Sequence, residues 1–310
     1  MAYPQREFRK RISFGQSNNA LTMLLIVNLV VFTIFAFINV FYTFLYREDG
    51  QANALFHERI LKWVVLPADL NALASRPWTI LTHMFVHVEV LHILGNMLWL
   101  WGFGYIMQDL TGNKKIFPVF IYGGLAGALC YLLAYNLLPG LQAQAPVSVA
   151  LGASAGIMAI AVVTTMVAPG FRIFPMLNGG IPLWVLTVIY LIIDLATIPY
   201  NNPGGHIAHL GGALMGFIFM LMLRRGYDWS EWMNNFYDWF INLFNPDKPK
   251  KGRDIKEELF YKSSAHPYKK TPNITQQRID DILDKINQKG YSFLTEEEKE
   301  LLKRASQEEL

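Results

Sequence analysis

The stretch HIAHLGGALMGFIFMLML, residues 206–223, is apolar beyond its first turn and has the length of a membrane-spanning helix. Such a helix needs about 20 residues, with a lower limit of about 17. His209, Gly212 and Gly216 fall at steps of three and four, so they share one face of the predicted helix. Because small residues let helices approach closely in lipid, this stretch predicts a membrane helix that packs against another through its glycines.

Six stretches of the chain have this apolar character. They are residues 20–42, 83–107, 116–138, 154–168, 182–199 and 206–223. Charged residues make up only 16% of the 310-residue chain and hydrophobic residues 53%, whereas a soluble domain has about 25% charged residues. The sequence therefore predicts an all-α membrane protein, a bundle of six transmembrane helices with a short cytoplasmic C-terminal helical tail.

The net charge and the cysteine content exclude two other classes of protein. A net charge of +3 is too small to indicate a nucleic-acid partner. The single cysteine, Cys130, cannot form an intramolecular disulfide, so a disulfide framework is excluded. The expected surroundings are instead the lipid bilayer.

Basic residues mark alternate connections between the predicted helices. They lie in the N-terminal segment 1–19, at Lys114 and Lys115, at Arg172, and at Arg224 and Arg225. The connections 139–153 and 200–205 contain no Lys or Arg, and the long loop 43–79 carries charges of both signs. By the positive-inside rule both termini are expected in the cytoplasm, with the protein in the inner membrane of a prokaryote.

Beyond residue 224 the sequence changes character three times. Residues 225–245 are rich in aromatic rings and predict an amphipathic helix at the membrane interface. Residues 246–274 are rich in Pro and Lys and predict a linker. Residues 275–310 predict a small cytoplasmic helical hairpin, whose second helix begins with a capping box at Thr295 and Glu298.

Few polar side chains lie in the predicted membrane helices, and polar groups there mark function because burying them in lipid is costly. His92 and Asn96 lie early in the second helix, Ser154 begins the fourth, and His206 and His209 begin the sixth. These three helices all run inward from the outer face. The five side chains are therefore expected to meet in the outer part of the membrane.

Ser154 and His209 have the chemistry of a nucleophile and its base. A serine hydroxyl needs a base within hydrogen-bond reach, and a neutral imidazole is such a base. The unpaired N–H groups at a helix N-terminus stabilise an oxyanion, and the side chains of His92 and Asn96 could add donors. A helix over 154–168 is about 22 Å long, so Ser154 is expected several ångströms below the outer surface of a hydrocarbon core about 30 Å thick.

This arrangement resembles that of the rhomboid intramembrane proteases. The matching motifs are His83-x-x-x-His87-x-x-x-x-His92-x-x-x-Asn96, Gly152-Ala153-Ser154 and Ala208-His209-x-x-Gly212-x-x-x-Gly216. The resemblance covers residues 20–224 and implies a six-helix protease domain with Ser154 as nucleophile, His209 as general base and no third acid. Its implied oxyanion site consists of the Ser154 backbone N–H, His92, Asn96 and Gly152. It also implies client single-pass transmembrane proteins as substrates, with no cofactor and no metal.

Several residues near this site have other interpretations. His206 lies one turn nearer the surface than His209 and is an alternative base. Asp194 is expected to be a hydrogen-bonded structural acid. His83 and His87 are expected to line a watery entrance or to brace a loop. Some rhomboids stack a tyrosine under the histidine from the position that Met158 occupies in this chain.

Two other functions remain open. Five histidines near the outer face suggest a metal-binding transporter or metal-dependent membrane enzyme, and the spacing of His83 and His87 suits one zinc ion. Against this, the chain has no His-Glu-x-x-His motif. The other function is that of a non-catalytic rhomboid-like protein that binds membrane clients; such relatives lack the Ser-His pair, which this chain has.

Overall fold

The computed structural model describes residues 19–46, 51–173, 179–243 and 276–306. The chain divides into two compact units, Met1–Phe244 and Asn245–Leu310. Two predicted regions, the basic N-terminal segment up to residue 18 and the linker 246–274, lie outside the described residues.

Helices account for most of the first unit. They are α1 (Ala20–Leu45), α2 (Ala52–Arg59), α3 (Leu70–Ser75), α4 (Thr79–Thr82), α5 (Val90–Thr111), α6 (Ile116–Leu137), α7 (Pro139–Gln142), α8 (Ser154–Val167), α9 (Leu183–Thr197), α10 (Pro203–Arg224) and α11 (Ser230–Ile241). Short 3-10 turns lie at Leu61–Trp63, His83–Phe85 and Asn113–Lys115. Strand β1 (Leu66–Pro67) pairs antiparallel with β2 (Val149–Ala150), and β3 (Arg172–Ile173) pairs antiparallel with β4 (Ile181–Pro182).

Four helical segments among the described residues are long and apolar enough to cross a membrane. They are Ala20–Leu45, Val90–Thr111, Asn113–Leu137 and Pro203–Arg224. Helices α8 and α9 are apolar but shorter, at 14 and 15 residues. The prediction of a mostly helical, multi-pass membrane protein is therefore confirmed, and the count of six transmembrane helices stays a prediction.

The second membrane helix begins later than predicted. The apolar stretch 83–107 suggested a start at residue 83, whereas α5 begins at Val90. The backbone is extended at Val86 and again at Glu89, which separates the 3-10 turn from α5. Hydropathy averaged along a stretch of sequence does not reveal that two residues within it have an extended backbone. His83 and His87 consequently belong to the connection before α5.

Glycines set the distance between α6, α8 and α10. A Cβ atom at Gly127 would lie 2.5 Å from the Cβ of Ala155, and one at Gly216 would lie 2.5 Å from the carbonyl oxygen of Ala159. The three backbones therefore approach each other as closely as small residues allow. As a result α8 is buried from residue 155 to residue 164.

Replacing Gly212 with alanine is expected to lower the free energy of unfolding by about 1–3 kcal/mol. The new methyl group would overlap the carbonyl oxygen of Ala155, a backbone atom that moves only if α8 moves. Gly102→Ala in α5 is the matched control, because nothing lies within 4 Å of a Cβ atom there. Thermal unfolding in detergent measures both variants, and equal midpoints would contradict the packing described.

Polar contacts join the start of α11 to the start of α6. Lys115 Nζ donates to Asp228 Oδ2 at 2.9 Å, and Tyr122 Oη donates to the carbonyl oxygen of Trp229 at 2.9 Å. Several large rings of α11 are exposed: Trp232, Phe236, Trp239 and Phe240. Exposed aromatic rings are common at the level of lipid headgroups. The location of segment 225–245 at the membrane interface stays a prediction.

The described part of the second unit, residues 276–306, is a helical hairpin. It contains α12 (Gln276–Lys289), a 3-10 turn at Tyr291–Phe293 and α13 (Glu296–Ala305), with a core of Ile282, Leu294 and Leu301. Gly290 follows α12 with φ of 86°, a conformation that favours glycine. Thr295 and Glu298 make both hydrogen bonds of a capping box at the start of α13.

The capping box predicts a pH-dependent stability of this hairpin. Hydrogen bonds from Lys285 and from the Thr295 backbone N–H lower the pKa of Glu298 from 4.5 to about 2. Because the pKa is lowered by folding, this carboxylate stabilises the hairpin fully above about pH 4.5, and the effect is lost as the pH falls toward about 2. Glu298→Gln in the full chain is expected to speed amide hydrogen exchange across 276–306 at pH 7.

The same variant should approach wild-type exchange as the pH falls below about 2, where the Glu298 carboxylate becomes protonated and both side chains are uncharged. Glu296→Gln is the matched control, because its side chain is 89% exposed in an ion pair and exposed pairs contribute little. Wild-type exchange in Glu298→Gln at pH 7 would show that the carboxylate does not stabilise the hairpin.

Candidate active site

Ser154 is the first residue of α8. Gly152, two residues earlier, has φ of 117°, a left-handed conformation that favours glycine and turns the chain from β2 toward α8. Ala153 is the N-cap residue, and no side chain caps this end of the helix. The first backbone N–H groups of α8 therefore have no intrahelical partner and face the region around the serine.

His209 lies in the second turn of α10. The Ser154 hydroxyl donates to His209 Nε2, with the two atoms 2.6 Å apart. Gly212 permits this approach, because α10 touches the α8 backbone at Ala155 one turn further on. Among the described residues it is His209, and not His206, that is bonded to Ser154 Oγ.

The segment before α8 is held by the connection that precedes α5. The Gly152 N–H donates to the carbonyl oxygen of His83 at 2.9 Å, and the Ala153 N–H donates to His87 Nε2 at 3.4 Å. The pairing of β1 with β2 fixes the residues just before. These contacts show that His83 and His87 brace the segment that leads into α8.

His92 and Asn96 lie beside the same segment. A Cβ atom at Gly152 would lie 2.9 Å from His92 Cε1 and 3.7 Å from Asn96 Nδ2. Asn96 Nδ2 also donates to His87 Nε2 at 2.8 Å. The structure thus brings together all five residues that the sequence selects. His92 and Asn96 lie beside Gly152, His209 is bonded to Ser154, and His206 packs against His209.

Asp194 is hydrogen-bonded, as the sequence predicts, and its partners are the two histidines of α10. Its Oδ1 accepts from Nδ1 of His206 at 2.7 Å and from Nδ1 of His209 at 2.9 Å. Its side chain is only 1% exposed. The contact arises because the connection from α9 to α10 is short and turns sharply at Asn202, where φ is 42°. A sequence signal existed: a lone acid in an apolar helix, followed closely by two histidines.

Tyr190 also contacts His209, and the sequence did not single it out. It lies four residues before Asp194 on α9, so both side chains share one face of that helix. The Tyr190 ring lies 6.0 Å from the His209 ring at 63° and 5.2 Å from the Trp99 ring. Met158 is fully buried and packs with Tyr190. The ring that contacts His209 therefore comes from α9 and not from α8.

The site also contains a group of possible metal ligands. In the part of the chain that the structure describes, Asp194, His206 and His209 offer ligand atoms within 4.8 Å of one another. His83 and His87, whose spacing suggested a zinc pair, are not in this group.

Two family models match the chain. The model of the Rhomboid domain matches residues 74–226, and a family of unknown function, DUF6576, matches residues 265–308. The first match contains the whole cluster around Ser154, and the second overlaps the C-terminal hairpin. The wider protease domain predicted for 20–224 stays a prediction.

Curated relatives are similar over part of their length. RHOMBOID-like protein 12, mitochondrial, of Arabidopsis thaliana is 26% identical over 165 residues, which cover 50% of this chain and 49% of that protein. Rhomboid protein 1, mitochondrial, of Saccharomyces cerevisiae is 29% identical over 153 residues, covering 46% and 40%. Rhomboid protease GlpG of Salmonella newport is 27% identical over 100 residues, covering 27% and 36%. The chain spans about half the length of these relatives or less. They include mitochondrial proteins, so the prokaryotic inner membrane stays a prediction.

Proposed function

Because the chain is a rhomboid family protein with a rhomboid domain at residues 74–226, we propose that it is an intramembrane serine endopeptidase. Its substrates are client single-pass transmembrane proteins, which it cuts in or near the membrane-spanning segment. One observation carries this proposal: Ser154 Oγ lies 2.6 Å from His209 Nε2. A serine hydroxyl becomes a nucleophile when a base at this distance takes its proton.

In the proposed membrane arrangement six helices cross the bilayer: α1, α5, α6, α8, α9 and α10. Helix α8 has 14 residues and is about 21 Å long, which is shorter than a hydrocarbon core of about 30 Å. With its inner end at the cytoplasmic surface, its first residue lies below the outer surface. Arg172 after α8 and Arg224 at the end of α10 fit the same cytoplasmic side.

The segments beyond α10 complete this proposed arrangement. Residues 225–245 lie along the inner membrane interface, and residues 246–274 link them to the hairpin at 275–310. Both termini lie in the cytoplasm, and the membrane is the inner membrane of a prokaryote.

The proposed reaction proceeds through an acyl-enzyme. His209 takes the Ser154 proton as Oγ attacks the carbonyl carbon of the client peptide bond, and a tetrahedral intermediate forms. His209 then gives the proton to the amide nitrogen as the C–N bond breaks. Water from the outer face attacks the remaining ester, and Ser154 regains its proton. None of these steps needs a cofactor or a metal ion.

The donors for the oxyanion surround the first turn of α8. The uncapped backbone N–H groups there bring positive charge to the carbonyl oxygen. The Asn96 amide carries two N–H groups, of which His87 accepts one, so the second can donate to the oxyanion. His92 adds a ring N–H. Gly152 keeps these side chains close to the backbone, because a Cβ atom there would overlap His92.

The cost of unwinding a helix in lipid selects the clients. Backbone groups freed from a helix lose their hydrogen-bond partners in the bilayer. Clients with Gly, Ala or Ser near the outer end of their membrane segment unwind more easily than clients with continuous Leu or Val. We expect these clients to be cut faster.

A metal-dependent membrane enzyme is the second candidate, because Asp194, His206 and His209 form a set of ligands that suits zinc. Metal bound there would occupy the proposed base. Cleavage that a chelator abolishes, and that added zinc restores, would favour this candidate over the protease mechanism.

The test uses the full chain in lipid vesicles with a fluorescently labelled single-pass substrate. We expect cleavage that is insensitive to EDTA, together with covalent labelling by a fluorophosphonate probe, which mass spectrometry maps to Ser154. A label on any other serine would overturn the proposed nucleophile. Neither cleavage nor labelling across a panel of clients would favour a non-catalytic client-binding protein.

A further inference from the structure

Helix α9 is held to the rest of the protein by few residues. Of its 15 residues only Leu183, Thr187 and Asp194 are buried. Ile193 and Leu195, which flank Asp194, have relative exposures of 54% and 62%. Asp194 is the one acidic residue of this helix, and it is buried where it meets the histidines of α10.

Two donors converge on one oxygen of that carboxylate. His206 Nδ1 and His209 Nδ1 both lie within hydrogen-bond distance of Asp194 Oδ1, although the two rings are 5.9 Å apart and nearly perpendicular. A carboxylate buried in a membrane protein is costly without partners. One donor from any polar residue would reduce this cost. In this chain one of the two donors is the imidazole that also contacts Ser154.

The contact determines which nitrogen of His209 carries the proton. A neutral imidazole has one N–H, and a carboxylate oxygen accepts a hydrogen bond but cannot donate one. The proton is therefore assigned to Nδ1, which faces Asp194. The lone pair of Nε2 is left facing Ser154 Oγ at 2.6 Å. This is the tautomer that a general base needs.

We propose that Asp194 is a positioning residue for the general base, so that the site works as an acid–base–nucleophile triad and not as a dyad alone. The inference rests on the proposed function, since it requires that His209 takes the proton of Ser154. Asp194 fixes the tautomer and ring orientation of His209 and stabilises the imidazolium that forms during attack. His206 holds the carboxylate in place by donating to the same oxygen.

Asp194→Asn in the full chain tests this role, in vesicles with the labelled substrate. An amide replaces the carboxylate without changing its size, but it does not stabilise the imidazolium and can bind the wrong tautomer. We expect kcat to fall by up to about 10⁴-fold, the loss known for the corresponding change in a triad protease. KM should change little, because Asp194 does not touch the client. Fluorophosphonate labelling of Ser154 should slow in parallel.

Thr187→Val is the matched control. Thr187 is a buried polar residue on the same helix, bonded to Thr165 and not to either histidine, so kcat should stay at the wild-type value. Asp194→Glu restores a carboxylate and should regain part of the lost kcat. This rescue separates the proposed role from a structural one, for which charge at the end of the side chain would not matter.

The outcomes distinguish this inference from the proposed function. Wild-type kcat in Asp194→Asn, with Ser154→Ala inactive, would overturn the positioning role and leave the protease mechanism intact. No cleavage by the wild type would overturn the proposed function itself. If Asp194→Asn lowers the unfolding midpoint, Asp194→Glu decides: normal folding without any recovery of kcat would also overturn the role.

Discussion

Replacing Ser154 with alanine is expected to abolish cleavage, with a loss in rate of about 10⁴- to 10⁶-fold. The variant lacks Oγ, the atom that would form the bond to the client carbonyl carbon. Folding should be unaffected, because Ala153 and not Ser154 is the N-cap residue and alanine is the best helix former. The measurement is the cleavage rate of a labelled single-pass substrate in vesicles.

Ser230→Ala is the matched control for this variant. Ser230 is also the first residue of a helix, and its hydroxyl donates to Asp228. We expect Ser230→Ala to cleave at the wild-type rate. Equal cleavage by the wild type and Ser154→Ala would show that another group is the nucleophile.

Replacing His209 with alanine is expected to reduce cleavage as strongly as removing the serine, since nucleophile and base act as a unit. Fluorophosphonate labelling of Ser154 should be lost too, because no other imidazole in the described structure contacts Oγ. His206→Ala should have a much smaller effect. It removes one hydrogen bond to the Asp194 carboxylate, which corresponds to a loss of about tenfold.

The two histidine variants together decide which ring is the base. Loss of labelling in His206→Ala with labelling retained in His209→Ala would reverse the assignment. Both measurements use intact protein in the same vesicles, and a thermal midpoint recorded for each variant separates lost chemistry from lost folding.

The sequence predicts the packing of α8 against α10 because that packing depends on residues visible in the chain. Steps of three and four from His209 to Gly212 and Gly216 place small residues on one face of α10. Small residues on one face allow a neighbouring helix to approach closely. The family resemblance, confirmed by the match to the Rhomboid domain, adds the roles of Ser154 and His209. These roles stay predictions until cleavage is measured.

The contacts of Asp194 and Tyr190 with His209 could not be predicted from the sequence in the same way. Whether Asp194 and Tyr190 reach His209 depends on the turn between α9 and α10 and on the rotation of α9 about its axis. Neither follows from an apolar composition that is nearly uniform around the helix. The late start of α5 has a similar cause, because local backbone geometry at Val86 and Glu89 outweighs hydrophobicity.

Ser154 and Asp194 lie on helices with different surroundings. Helix α8 is enclosed by neighbouring helices from residue 155 to residue 164, whereas most of α9 faces outward. A helix shorter than the hydrocarbon core is accommodated by local thinning of the bilayer, and in a thicker bilayer the resulting force on α9 would displace Asp194 relative to α10 while Ser154 stays in place. In the proposed mechanism, the acyl-chain length of the surrounding lipids would then change the catalytic rate through the alignment of the His209 imidazole, without altering Ser154 itself.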